Sequence, residues 1–233
     1  VDVKHAGEID EIFDAISYRK GASVIRMLES YLGSENFQKA LASYIKRYAC
    51  SNAKTEDLWS VLEEVSGEPV NEIMFSWTKQ KGYPVVSVKA EEDDHLIFEQ
   101  SQFLLSGSQG EGQWIVPITL CCGSYDALRT FLLHSKSETF DLKGFSGFSS
   151  ERPWIKVNVD QTGFFRVKYD DELSARLREA IEKKVLSTSD KYGILDDYYA
   201  LSMACQQPLA SLLALMAAYR EEHDYIILSN LIS

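Results

Sequence analysis

The 233-residue chain reads as an α+β protein of more than one domain, and three changes of hydrophobic period carry that reading. Apolar residues recur at helical spacing as far as about Gly82. They alternate at strand spacing over about 83–171 and return to helical spacing over about 172–233. The expected order is a group of helices (1–82), an antiparallel β-sandwich (83–171) and the beginning of an α-helical array (172–233). A hydrophobic share of 45% supplies enough apolar residues for more than one core.

In the first zone, Ile9, Ile12, Phe13 and Ile16 fall at i, i+3, i+4 and i+7, one face of a helix. A second helix is expected from Ser17, a plausible N-cap, with Ala22, Ile25, Leu28 and Leu32 on one stripe and a stop at Gly33. Ser34 opens a third, whose face carries Phe37, Leu41, Tyr44, Ile45 and Tyr48. Thr55 followed by Glu56 and Asp57 starts a fourth, because acids favour the positive end of the helix dipole. It carries Leu58, Trp59, Leu62 and Val65 and ends at Gly67. Pro69 suits the first turn of a fifth helix, expected over 70–81 and stopped by Gly82 and Pro84.

In the second zone, Val86, Val88 and Ala90 alternate with Ser87 and Lys89. Asp93 and Asp94 make a turn, and Leu96, Ile97 and Phe98 begin the return strand. Further strands are expected at 114–120, 130–133, 154–159 and 164–169, with Pro117 marking a kink or an edge. The Gly- and Ser-rich loops 106–112 and 144–150 are the stretches expected to be disordered. The first lacks the Lys and following helix of a phosphate loop. The run Glu91 to Asp94 reads as a solvated turn rather than a calcium site. In the third zone Leu173, Leu177, Ala180 and Ile181 make one helical face. Ile194, Leu195, Tyr198, Tyr199 and Met203 make another, and two more helices follow Pro208.

The net charge of −11 disfavours nucleic acid and anionic membrane surfaces as partners. The longest apolar stretch, 209–219, falls short of the ~18–20 residues of a transmembrane span. Both ends read as cut boundaries within a longer protein. Cys50, Cys121, Cys122 and Cys205 form no CxxC and are expected to be buried free thiols. A cytoplasmic setting follows, with a peripheral membrane-associated pool left open. His5, His95, His134 and His223 are scattered and read as structural or surface residues.

Four stretches carry a resemblance to a known family: EIFDAISYRKGASVIRML at 11–28, TEDLW at 55–59, WTKQKGYP at 77–84 and GFFRVKY at 163–169. Their order and spacing resemble the zinc aminopeptidases of the aminopeptidase N and puromycin-sensitive aminopeptidase family, and its plant branch in particular. Phe165 stands where many relatives have Tyr. The resemblance implies that residues 1–82 are the helical end of a thermolysin-like catalytic domain. It further implies that 83–171 are its β-sandwich domain, and that 172–233 begin its C-terminal helical domain.

The same resemblance assigns Tyr18 as a transition-state stabiliser and Phe13 as a wall of the pocket for the substrate's first side chain. In such a peptidase, zinc and a glutamate base activate the attacking water, and the carbonyl oxygen becomes an oxyanion. A phenol is protonated at neutral pH and can donate to that oxyanion. By periodicity alone Tyr18 is a core or groove residue, and Phe13 a core residue. The chain contains no HExxH. The family's zinc ligands and its Gly-x-Met-Glu-Asn loop are expected N-terminal to this segment. Zinc is therefore expected in the parent enzyme and none bound to this fragment, which is expected to be inactive alone. The expected partners are peptide substrates of the parent. Self-association through apolar surface exposed by the missing domain is a further expectation. The alternative is that the fragment is a non-catalytic interaction or scaffold module.

Overall fold

The computed structural model describes residues 16–91, 94–108, 110–143 and 153–232. The chain divides into two compact units. One is built on residues up to Trp77 together with Thr162–Phe164, the other on Thr78–Gln161 and the residues from Phe165 onward. The helix expected around Ile9 and Ile12, and the turn at Asp93, lie outside the described residues, as does the loop at 144–150.

The first unit begins with a π turn, Ile16–Lys20, that runs directly into α1, Gly21–Leu32. Ser17 therefore lies within a helical turn and is not an N-cap. The buried stripe of α1 is Val24, Met27, Leu28 and Leu32, while Ala22 is exposed and Ile25 half-buried. Leu28 and Leu32 are thus buried as expected, while Val24 and Met27 fill the core in place of Ala22 and Ile25. Gly33, at φ 80°, closes α1, and α2 follows as Ser34–Arg47. None of its expected face is buried: Phe37, Leu41, Tyr44 and Tyr48 are half-buried and Ile45 is 66% exposed, while the buried residue is Ala40.

Helix α3, Thr55–Ser66, is closed at its start by Asp57, whose carboxylate accepts from the Lys54 amide at 2.7 Å. Gly67, in the left-handed region at φ 75°, ends it. Helix α4, Val70–Thr78, buries Val70, Ile73, Met74 and Trp77. It stops short of the expected 81.

In the second unit, β1 (Pro84–Glu91), β2 (His95–Gln102), β5 (Ser137–Asp141) and β7 (Arg166–Tyr169) form a sheet of order β5-β2-β1-β7. A second sheet, of order β4-β3-β6, contains β4 (Ser124–Leu133), β3 (Val116–Cys122) and β6 (Ile155–Val157). Phe98 meets Phe131 edge-on at 5.3 Å, and Phe131 stacks on Phe140 at 4.5 Å, joining the two sheets. The expectation of purely antiparallel pairing is corrected at one place, since β7 runs parallel to β1. Pro117 lies in the middle strand of its sheet, but β6 pairs only with Leu120–Cys122. Around Pro117 only β4 lies alongside, so this part of β3 has the one-sided pairing of an edge, where proline is tolerated.

Helices α5 (Asp171–Glu182), α6 (Thr188–Met203), α7 (Leu209–Ala218) and α8 (Tyr225–Ile232) complete the second unit. Asp170 caps α5 by accepting from Leu173 N, and Ser187 caps α6 by accepting from Asp190 N. The expected face of α5 is buried throughout, whereas Tyr199 and Met203 of α6 are exposed. All four cysteines are free. Cys121 and Cys122 are buried as expected, but Cys50 and Cys205 are exposed. No helix among the described residues is long and apolar enough to cross a membrane.

Candidate functional site

Tyr18 projects from the π turn with 63% of its surface exposed. It is therefore not a core tyrosine, and its phenol stands at the surface of the first unit. Phe13 lies outside the described residues. Burial lowers the pKa of the neighbouring Lys20 ammonium. One turn further on, the Ser23 hydroxyl donates to the Arg19 carbonyl at 2.8 Å.

The helix that follows Tyr18 is well anchored. The Phe164 amide donates to Met27 Sδ at 3.5 Å, and the Phe164 ring lies 6.3 Å from that of the fully buried Trp77. Met27, Trp77 and Phe164 come from three of the four motif-bearing stretches, so the fold brings those stretches together in one unit. Near the end of α1, Tyr31 donates to Glu68 at 2.5 Å, and burial followed by that carboxylate pushes the phenol's pKa up. A surface depression lined by Arg26, Glu29, Ser30, Gly33, Ser34 and Thr162 flanks this part of α1. Among the described residues no group of three or more His, Cys, Asp or Glu could hold a metal ion. These residues do not fit a zinc ion.

The second unit contains a polar cluster that periodicity does not reveal. Lys156, on β6, is fully buried, and its ammonium reaches Asp190 at 3.2 Å, the Val157 carbonyl at 2.5 Å and the Asn158 carbonyl at 2.7 Å. Asp190 also accepts from the Tyr125 hydroxyl at 2.6 Å and the Asp160 amide at 2.8 Å. Burial pushes the Lys156 pKa down, opposed by Asp190 and Asp197. Nearby, Arg166 contacts Asp196 at 2.6 Å and Asp197 at 3.1 Å, and Asp197 accepts from Val167 N at 3.0 Å. Burial raises the Asp197 carboxyl to about 6 against the pull of Arg166.

Asn158, Asp160 and Gln161 all adopt positive φ, between 53° and 59°, where β6 turns towards this cluster. Each cluster charge has a partner, and the geometry is that of a structural tie between β6, β7 and α6. Two signals in the sequence point to it: Lys156 within an apolar strand, and the pair Asp196-Asp197 within an apolar helix.

The described residues thus form a helical unit bearing an exposed tyrosine and a two-sheet unit that continues into helices. Residues 1–77 match the peptidase family M1 domain, and residues 154–233 match the ERAP1-like C-terminal domain. The chain belongs to the M1 aminopeptidase family.

It is 65% identical to aminopeptidase M1 of Arabidopsis thaliana, over all of this chain and 27% of that protein. Identity to aminopeptidase M1-A of Oryza sativa subsp. japonica is 61%, over all of this chain and 26% of that protein. Further away, the puromycin-sensitive aminopeptidase of Caenorhabditis elegans is 37% identical over 97% of this chain and 24% of its own length. The chain thus spans about a quarter of the length of these relatives.

Proposed function

We propose that the protein carrying this segment is a zinc-dependent aminopeptidase that removes N-terminal residues from peptides. In this reading Tyr18 donates a hydrogen bond to the oxyanion formed at the scissile carbonyl. The observation that carries it is the exposed phenol on a π turn, inside the stretch that matches the M1 peptidase domain. A hydrogen bond that strengthens as negative charge develops lowers the barrier without tightening the ground state. Phe13 walls the pocket for the substrate's first side chain. The zinc ligands belong to residues outside this chain, so the segment alone does not turn over peptide.

The test is Tyr18→Phe in the full-length protein. The phenyl ring stays and the donor goes, so turnover falls by ~10²–10³. Turnover within a few-fold of the parent would exclude the role.

A second reading, that the segment acts as an interaction module, draws on its exposed apolar side chains, among them Ile45 and Phe75 of the first unit. Stoichiometric zinc binding and cleavage of aminoacyl reporters by the isolated segment would dismiss it.

A further inference from the structure

The residue that holds Tyr18 in place is identifiable from the turn on which it stands. A π turn has a wider hydrogen-bond register than the α-helix it joins, so some backbone groups lose their regular partner at the junction. Here the π turn ends at Lys20 and α1 begins at Gly21. The carbonyl of Arg19, the residue next to Tyr18, falls at that junction and accepts from the Ser23 hydroxyl at 2.8 Å. On the far side, Val24, Met27 and Leu28 are buried, so Ser23 stands on a helix that cannot shift without disturbing the core.

We infer that Ser23 is a positioning residue: its hydroxyl pins the Arg19 carbonyl, fixes the π-to-α register, and so sets the direction of the Tyr18 phenol. This rests on the reading of Tyr18 as the oxyanion donor. Ser60 and Ser66 make the same bond to the carbonyl four residues back, at 2.9 and 2.6 Å, but within the regular helix α3. There the bond duplicates a complete backbone ladder. At Arg19 it lies at a change of register. Ser60, exposed on α3, is therefore an internal control for the loss of a helical serine hydroxyl.

The test uses the full-length enzyme and steady-state kinetics on an aminoacyl substrate. Ser23→Ala lowers kcat about five- to tenfold, the rate equivalent of one net hydrogen bond, and leaves KM within about twofold. Ser60→Ala leaves both unchanged. Ser23→Thr restores kcat, because a helical threonine can bond the same carbonyl. In the Tyr18→Phe background, Ser23→Ala has no further effect, because no phenol remains to be aimed.

An unchanged kcat in Ser23→Ala overturns the inference. So does an equal loss in the Tyr18→Phe background, which would show a general destabilisation. If Tyr18→Phe by itself retains full turnover, the functional reading fails first and the inference falls with it.

Discussion

Removing Lys156 destabilises the second unit out of proportion to the size of the change. Its ammonium has three donors, and all three are used, on Asp190, the Val157 carbonyl and the Asn158 carbonyl. Asp190 is equally committed, to Lys156, Tyr125 and the Asp160 amide. Lys156→Met leaves the Asp190 carboxylate buried without its contacting cation, and the expected cost is about 3–5 kcal/mol. Asp190→Asn strands the ammonium in the same way.

Changing both removes the two charges together, so the double variant costs less than the sum of the singles. The coupling should be ~1–3 kcal/mol. Urea unfolding followed by tryptophan fluorescence is the assay. Trp154 reports on the site, since its ring lies 5.6 Å from that of Tyr125. Additivity within ~0.5 kcal/mol would refute the reasoning, because independent sites behave that way.

Asp197 gives a pH dependence of defined sign. Its folded pKa, about 6, lies above the ~3.9 of an unfolded aspartate. The groups facing it are Arg166, Lys156, Asp196 and Tyr169. Its protonation therefore favours the fold: the contribution is complete below about pH 4 and is lost as pH rises through 6. The stability of the parent relative to Asp197→Asn accordingly grows by up to about 3 kcal/mol from pH 7 to 4, and a flat difference would contradict this.

Trp77→Ala empties the centre of the first unit and removes the contact with Phe164, at an expected cost of about 3–5 kcal/mol in thermal or urea unfolding. Ser187→Ala removes the cap of α6 and costs about 1 kcal/mol in the same measurement. The isolated segment is expected to self-associate and to bind hydrophobic dyes, and a monodisperse monomer by light scattering would count against that.

Period alone separates helical from strand segments and marks the ends of α1 and α3, because Gly33 and Gly67 terminate helices by a local backbone requirement that their neighbours cannot override. It placed the face of α5 correctly, since that helix buries one continuous stripe. On α1 the period places Leu28 and Leu32 in the core but not Val24 and Met27, and nothing in the residue types around Ser17 announces the π turn. The parallel pairing of β7 with β1 is a long-range choice with no local signature. The Lys156 cluster leaves only single out-of-place charges in the sequence, and which of them pair is not readable there, as its members lie on β4, β6 and α6 and meet only on folding. For the candidate site, the stretch around Tyr18 was legible as a family likeness. The exposure of the phenol and the bond from Ser23 to Arg19 come from the structure alone.

Whether Tyr18 is the oxyanion donor is decided by a distance. A structure of the full-length enzyme bound to a phosphinic peptide mimic of the tetrahedral intermediate places one phosphinate oxygen where the oxyanion would form. Tyr18 Oη is expected at ~2.7–3.1 Å from that oxygen, the spacing of a working oxyanion donor. A phenol turned away, or separated from that oxygen by a water molecule, would contradict it.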